Sequence, residues 1–255
     1  MSASILAARV AIVTGAARGI GAAIAVRLAA DGYDVATLDI DEARCADTVS
    51  AVRAHGRRAL AVAVDVSNEA SVRVAVDVVA GALGTPAVLI NNAGVFFERM
   101  SHRTGLDDWN RIIDINLRGT FLMSRSMQPF FKSARDGRIV NISSVAALGH
   151  IGQSAYSAAK AGIIGLTRTL SVEYGPLGAT VNAVAPGFVL TEMTRATAER
   201  LGVGLEQFVA EAAREVPVGR GGTPEDVAQA VAFFVDPRSG YVSGQVLYVA
   251  GGPRG

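Results

Sequence analysis

The chain has 255 residues, half of them apolar, with 24 basic and 23 acidic side chains and a net charge of +1. This length favours one α/β domain with a large core, and the balanced charge gives no argument for nucleic acid or a membrane surface. The single cysteine excludes an intrachain disulfide, and His55, His102 and His150 lie too far apart in sequence to suggest a metal site. Without a signal-peptide pattern or a transmembrane-length apolar run, a cytoplasmic protein is expected.

Short apolar runs alternate with longer alanine-rich stretches along the chain. The runs are mostly Val, Ile and Leu without strict alternation, which is typical of strands covered on both faces. The predicted strands are residues 10–14, 34–39, 59–64, 88–91, 138–143, 180–184 and 245–249. Helical spacing is clear in residues 21–31 and 158–174. This order predicts one α/β domain over residues 1–255, a Rossmann-type doubly wound parallel sheet of about seven strands with helices on both faces.

The loop after the first strand carries Gly15, Gly19 and Gly21 directly before a helix. Gly15 permits a tight turn, Gly19 lets the backbone approach a pyrophosphate, and Gly21 lets the helix pack close to the strand. Free backbone N–H groups and the positive helix end favour an anion there. A glycine-rich turn in a protein rich in alanine and glycine gives the same spacing, so the loop alone leaves both interpretations open.

Asp39 ends the second predicted strand. A carboxylate there can accept hydrogen bonds from both ribose hydroxyls of an adenosine and repels a 2′-phosphate, which predicts NAD rather than NADP. Asp41 could take this role, or Asp39 could be a solvated carboxylate. Arg18 favours NADP, because a cation in the loop can pair with a 2′-phosphate. Asp39 carries more weight, since its position addresses the ribose directly.

Further motifs follow in a fixed order along the chain. They are TGAARGIG at 14–21, the pair Asp65 and Val66, NNAG at 91–94, Asn116 in DINLRGTF, Ser144 in NISS, Tyr156 and Lys160 in AYSAAK, and Pro186, Gly187 and Thr191. Through these motifs nearly the whole chain resembles the short-chain dehydrogenase/reductase family, near its 3-oxoacyl-reductase-like and secondary-alcohol-dehydrogenase members. The resemblance implies a dinucleotide site built from Gly15, Arg18, Gly19, Ile20, Gly21, Asp39, Asp65, Val66, Asn92, Ala93, Gly94, Tyr156, Lys160, Pro186, Gly187, Val189 and Thr191.

The same resemblance implies the catalytic set Asn116, Ser144, Tyr156 and Lys160. Tyr156 is the acid–base group, Ser144 holds the substrate oxygen, Lys160 binds the nicotinamide ribose, and Asn116 holds a water behind the lysine. Tyr156 and Lys160 are four residues apart and therefore share one face of a helix. A tyrosine normally titrates near ~10, and a neighbouring ammonium is expected to lower that pKa.

Two positions depart from the family pattern. The usual serine–tyrosine separation points to Ser143, whereas alignment of the strand end points to Ser144 with a shorter loop. A slip in strand register would invert every side chain, whereas loops tolerate deletions, so we predict Ser144 with Ser143 as the alternative. The sequence Ala250-Gly251-Gly252 replaces the family's Asp-Gly-Gly, and we expect catalysis to be unaffected.

The resemblance implies interconversion of an alcohol and a carbonyl. The least regular segment, residues 188–222, is predicted to be a substrate-binding loop-and-helix insertion that could close as a lid. Substrate contacts are expected from Ser144, Phe96, Gln153, Tyr156, Phe188 and Met193, with further apolar lining from Phe97, Leu148, Ile151 and Leu190. This lining favours a hydrophobic or small neutral secondary alcohol or ketone, whereas Gln153 or His150 could bind a polar group.

We therefore predict an NAD(H)-dependent oxidoreductase that interconverts a secondary alcohol and a ketone, with NADP as the second choice of cofactor. One alternative is an NADPH-dependent 3-oxoacyl-thioester (acyl-carrier-protein) reductase, against which Asp39 and the balanced charge count. Another is a non-catalytic dinucleotide-sensing protein, against which the Tyr156–Lys160 pair counts. The resemblance also implies a homotetramer, for which regions 100–132 and 158–175 are long enough. No metal, nucleic acid or membrane partner is expected.

Overall fold

The structure, a computed structural model, describes residues 8–254 except for the side chain of Met193. Its centre is a parallel sheet of seven strands in the order β3-β2-β1-β4-β5-β6-β7. The strands are β1 (Val10–Thr14), β2 (Asp34–Asp39), β3 (Ala59–Ala63), β4 (Pro86–Asn91), β5 (Gly137–Ile142), β6 (Ala179–Pro186) and β7 (Val246–Val249). The predicted fold class is confirmed, and each predicted strand lies within about two residues of an observed one.

Helices cover both faces of the sheet. They are α1 (Gly19–Ala30), α2 (Ala46–Ala54), α3 (Glu69–Leu83), α4 (Leu106–Ile113), α5 (Gly119–Ser126), α6 (Gln128–Ala134), α7 (Ser154–Tyr174), α8 (Glu192–Leu201), α9 (Leu205–Arg214) and α10 (Pro224–Val235). On one face α1, α2 and α10 form a core with Ala11 and Val13 of β1. On the other, α3, α5, α6 and α7 pack against Val10 and Ile12. Successive strand residues point to opposite faces, so burial of both faces requires the continuous apolar runs seen in the sequence.

The strand order places a ligand crevice at one edge of the sheet. β1 pairs with both β2 and β4, so the chain reverses direction across the sheet between them. In such sheets, ligands bind outside the carboxyl ends of the strands at this switch point. Beside it, a π-helical turn (Asp114–Arg118) joins α4 to α5 and contains Asn116. Single π-helical turns within helices often occur at functional sites.

The segment 188–222 is more regular than the sequence suggested, because α8 and α9 occupy most of it. Thr191 caps α8 in a reciprocal arrangement with Thr194, and a bridge between Val189 and Gly222 ties the two ends of the segment together. No helix in the described part of the chain is long and apolar enough to cross a membrane. Within residues 8–254 no group of three or more His, Cys, Asp or Glu side chains is placed to hold a metal ion.

Candidate active site

A cleft of about 840 Å³ runs along the carboxyl ends of the strands. Its walls contain the predicted residues Gly15, Arg18, Gly19, Ile20, Asp39, Asp65, Val66, Asn92, Ala93, Gly94, Phe96, Asn116, Ser144, Gln153, Tyr156, Lys160, Pro186, Gly187, Phe188, Val189 and Thr191. Of the predicted dinucleotide residues, Gly21 alone is not in the wall. The side chain of Met193 lies outside the described residues.

The glycine loop forms a cradle at the floor of the cleft. Gly15 and Gly19 adopt positive φ angles of 62° and 56°. A Cβ atom on Gly21 would lie 2.2 Å from the carbonyl oxygen of Gly15, so Gly21 permits close packing beneath the loop and does not face a ligand. A Cβ atom on Gly19 would meet only Thr191, at 3.7 Å, and the backbone there is therefore accessible from the cleft. This arrangement of glycines fits a pyrophosphate at the start of α1.

The NNAG motif is clamped to this loop. The Thr14 hydroxyl oxygen accepts hydrogen bonds from the backbone N–H groups of Asn92 and Ala93, each at 3.0 Å. The Asn92 side-chain amide donates to the carbonyl oxygens of Thr14 and Gly15, also at 3.0 Å. These bonds join the ends of β1 and β4 and hold the shape of the cradle.

Asp39 lies at one end of the cleft. Its carboxylate accepts hydrogen bonds from the backbone N–H groups of Ala17, at 3.2 Å, and Ile40, at 2.9 Å. Asp41 instead accepts from the N–H of Ala43, at 3.0 Å, and is not part of the cleft wall. Asp39 is therefore the carboxylate of the β2 end that faces the cleft, where an adenosine ribose would lie.

Sequence reasoning missed two charged residues at this end of the cleft. Arg44 follows β2 in a 3₁₀ turn and lines the cleft near Asp39. The second missed residue is Glu192, which lies in the first turn of α8 on the opposite wall and forms an ion pair with the predicted Arg18. Nothing in the local sequence indicates this partner, because Glu192 is brought to Arg18 only by the folding of α8 over the cleft.

Tyr156, Lys160 and the two serines meet at the other end of the cleft. Tyr156, in the first turn of α7, is half-buried, with the Phe96 ring edge-on at 5.1 Å and the Ser144 hydroxyl close enough to lower the pKa of the phenol. The Ser143 hydroxyl is instead buried and donates to the carbonyl oxygen of Lys160, at 2.8 Å. The structure therefore brings Ser144, not Ser143, to the phenol.

Burial dominates the titration of the Tyr156–Lys160 pair. It raises the pKa of the Tyr156 phenol to about 12, although the neighbouring Ser144 hydroxyl acts in the opposite direction. It lowers the pKa of the Lys160 ammonium to about 8. The Lys160 Nζ lies 5.4 Å from the centre of the Tyr156 ring and donates to the carbonyl oxygen of Ile142, at 2.8 Å. The pKa of Tyr156 is therefore raised in this structure rather than lowered as expected from the sequence, because desolvation of the phenolate dominates.

Asn116 is fixed behind the lysine by the π-helical turn. Its amide nitrogen donates to the carbonyl oxygens of Val95 and Ile112, both at 3.0 Å. Its Oδ1 atom is buried and has no hydrogen-bond partner within the described part of the chain. A Cβ atom on Gly94 would lie 2.6 Å from that oxygen and 3.7 Å from Lys160 Nζ, so the two polar atoms flank the same glycine. The free oxygen fits the hydrogen-bonded water that the family resemblance implies.

The substrate end of the cleft is aromatic. Phe96 and Phe188, both predicted to contact substrate, line the cleft, and Phe208 of α9 packs edge-on against Phe188 with a ring-centre distance of 5.7 Å. Four predicted apolar contacts are absent from the wall: Phe97, Leu148, Ile151 and Leu190. Phe97 packs with Ile112 and Ala155, while Leu148 and Ile151 point outward, with 52% and 74% of their surface exposed. The direction of these side chains depends on the conformation of the turns that carry them, which the amino-acid composition does not specify.

Glu98 adds a polar group that sequence reasoning missed. Its carboxylate accepts from the Gln153 side chain and from the Arg200 guanidinium, each at 2.9 Å. These contacts join three segments around the substrate end: the loop after β4, the residue before α7 and the last turn of α8. No local motif indicates this cluster, since its members are distant in sequence.

Comparison with known proteins agrees with this geometry. A family model described as enoyl-(acyl carrier protein) reductase matches residues 15–253. The short-chain reductase protein NovJ of Streptomyces niveus is 45% identical over 243 residues, which cover 95% of this chain and 93% of that protein. The 3-oxoacyl-[acyl-carrier-protein] reductase of Synechocystis sp. is 41% identical over 251 residues, which cover 97% of each.

Solved structures show the same architecture. An actinorhodin polyketide ketoreductase variant with NADPH superimposes with a TM-score of 0.92 at 33% identity, covering 96% of this chain and 97% of that one. Levodione reductase superimposes with a TM-score of 0.91 at 32% identity, covering 96% of each chain.

Proposed function

Because this chain belongs to the short-chain dehydrogenase/reductase family and is an oxidoreductase of that family, we propose that it interconverts a secondary alcohol and a ketone with NAD(H). The observation that carries the proposal is the placement of Ser144 and Tyr156 together in one cleft that Asp39 also lines. The glycine cradle between them fits the pyrophosphate of a dinucleotide.

The side chains at the Tyr156 end suit reduction of a carbonyl at neutral pH. A nicotinamide dinucleotide bound in the cleft supplies the hydride. With a pKa of about 12, the Tyr156 phenol is protonated at neutral pH and donates its proton to the carbonyl oxygen. Ser144 donates a hydrogen bond to the same oxygen and stabilises its developing negative charge. Lys160 and the free oxygen of Asn116 lie behind the phenol, where a water can return the proton.

The coenzyme preference rests on Asp39. Two backbone N–H groups fix its carboxylate at the adenosine end, where it can accept from ribose hydroxyls and repel a 2′-phosphate. A second candidate function is an NADPH-dependent 3-oxoacyl-thioester reductase. Two observations favour it: relatives carry that name, and the Arg44 guanidinium lines the adenosine end without an ion-pair partner among residues 8–254.

The substrate proposed for this site is neutral and largely apolar. Phe96 packs edge-on against Tyr156, and the Phe188–Phe208 pair also lines the cleft. The Glu98 carboxylate in the wall is paired with Arg200, so neither of these charges is free to bind an ionic group. Aromatic walls of this kind suit a cyclic or aryl ketone whose flat faces can stack against them.

The test is a panel of initial-rate measurements with NADH and with NADPH, in both directions, on aryl, cyclic and straight-chain ketones, their alcohols, and acetoacetyl-CoA. We expect neutral ketones to be reduced with a higher kcat/KM for NADH. A preference for NADPH together with the thioester would replace the first proposal by the second candidate. Coenzyme binding without turnover of any carbonyl would instead indicate the dinucleotide-sensing role.

A further inference from the structure

We propose that Glu192 is a positioning residue that sets coenzyme choice by holding Arg18 in an ion pair across the mouth of the cleft. This inference rests on the proposed dinucleotide site. While Arg18 is paired with Glu192, the glycine loop offers no free cation to a 2′-phosphate. Two acids then disfavour binding of NADP(H): Asp39 acts directly, and Glu192 acts by occupying Arg18.

Arg18 is the cation best placed in the loop to meet a 2′-phosphate. It follows Ala17, whose N–H donates to Asp39, and precedes Gly19, whose backbone faces the cleft. Its side chain is 59% exposed and can turn toward either wall. A guanidinium binds phosphate oxygens through two parallel hydrogen bonds, so a released Arg18 would favour the phosphorylated coenzyme.

Glu192 keeps Arg18 turned toward α8. Gly19 and Thr191 are close neighbours across the cleft, since a Cβ atom on Gly19 would lie 3.7 Å from Thr191. Glu192 follows Thr191 in the first turn of α8, and its carboxylate pairs with Arg18. The guanidinium is therefore held at the α8 wall rather than left free in the cleft.

The strength of the pair limits the size of the effect. Both side chains are 59% exposed, so solvent screens their attraction and a phosphate can compete for Arg18. Arg44 is the other cation near Asp39. If Arg44 alone met the 2′-phosphate, releasing Arg18 would change nothing, and the two possibilities are therefore separable by substitution.

The experiment measures dissociation constants of NADH and NADPH by nucleotide fluorescence for the parent, Glu192→Gln, Arg18→Gln and the double variant. Glu192→Gln is expected to tighten NADPH binding about three- to tenfold while the constant for NADH stays nearly unchanged. The double variant should lose the gain. Glu199→Gln is the matched control, since Glu199 is an exposed acid of the same helix without a described ion pair, and it should leave both constants unchanged.

An unchanged NADPH-to-NADH ratio in Glu192→Gln would overturn the inference, as would a gain that persists in the double variant. Glu192→Ala repeats the test with a different side chain, and near-parent melting temperatures show that both variants are folded. The parent's own preference tests the proposed function separately. A parent that prefers NADPH would contradict the NAD assignment, while the shift in ratio on removing Glu192 would still decide the role of this residue.

Discussion

Ser143 and Ser144 are adjacent, yet their hydroxyl groups have different partners. The Ser144 hydroxyl lies beside the Tyr156 phenol, whereas Ser143 donates to the backbone carbonyl oxygen of Lys160. Ser144→Ala is therefore expected to lower kcat for ketone reduction about 10²-fold, because it removes a donor to the reacting oxygen. Steady-state kinetics with a ketone of the panel check this value.

Ser143→Ala is the matched control for that substitution. It removes a buried hydrogen bond, so we expect a loss of about 1 kcal/mol in the free energy of unfolding and little change in kcat. Urea unfolding and the same kinetic assay measure the two effects. If Ser143→Ala abolished turnover while Ser144→Ala did not, the assignment of the two serines would have to be reversed.

Lys160 gives the site a pH dependence near neutrality. Its pKa is lowered to about 8, while that of Tyr156 is raised to about 12, so the protonated pair is complete below pH 8. As pH rises through about 8, the amine loses its charge while the phenol stays protonated. We expect kcat/KM for ketone reduction to be flat below that value and to fall above it.

The pH profile of Lys160→Met tests the origin of this fall. Without the amine the rate should be lower at every pH, and the decline beginning near pH 8 should disappear. A Lys160→Met profile that declines as the parent's does would show that another group causes the loss.

The lowered pKa of Lys160 also affects folding stability, because it disfavours the ammonium in the folded state. The free energy of unfolding of the parent is therefore expected to rise as pH increases from about 8 toward the pKa of this lysine in the unfolded chain.

An ion pair joins the C-terminal end of helix α8 to the loop after β4, beside the substrate end of the cleft. Arg200 pairs with Glu98, which also accepts from Gln153, and the two charged side chains are 46% and 30% exposed. Glu98→Gln is expected to raise KM for ketones about two- to fivefold with kcat little changed, because partly exposed ion pairs contribute modestly. Glu69→Gln, which breaks the exposed Arg125–Glu69 pair, is the control and should leave KM unchanged. Equal effects of both variants would rule out a specific role for this contact.

At the scale of the whole molecule, the sequence was sufficient for the fold. Continuous apolar runs identified the seven strands because both faces of the sheet are buried, as Val10 and Val13 illustrate on opposite faces. The glycine loop was also predictable, since it depends on local spacing along the chain. Tyr156 and Lys160 were identified through the motif that the chain shares with its family. The ion pairs of Glu98 and Glu192 were not, because their partners come from helices that approach only in the folded protein.

Exposed apolar side chains support the proposed homotetramer. They include Trp109 on α4, Phe121 on α5, Phe233 on α10 and Leu247 on β7. Contact between copies would remove this surface from water, and closed symmetric assemblies are the usual form of soluble oligomers. Sedimentation velocity should give about four times the chain mass of 26.3 kDa. Phe121→Glu should shift the protein to smaller species, and a parent that stays monomeric at high concentration would contradict the assembly.

The most direct test of the proposed chemistry is turnover by Tyr156→Phe, measured together with binding of NADH. The substitution keeps the ring that packs against Phe96 and removes only the hydroxyl. We predict that ketone reduction falls by about 10³-fold or more while the variant still binds NADH, because the proton donor is lost and the dinucleotide cradle is intact. Reduction at the parent's rate by a variant that binds NADH equally well would show that the proton comes from another group.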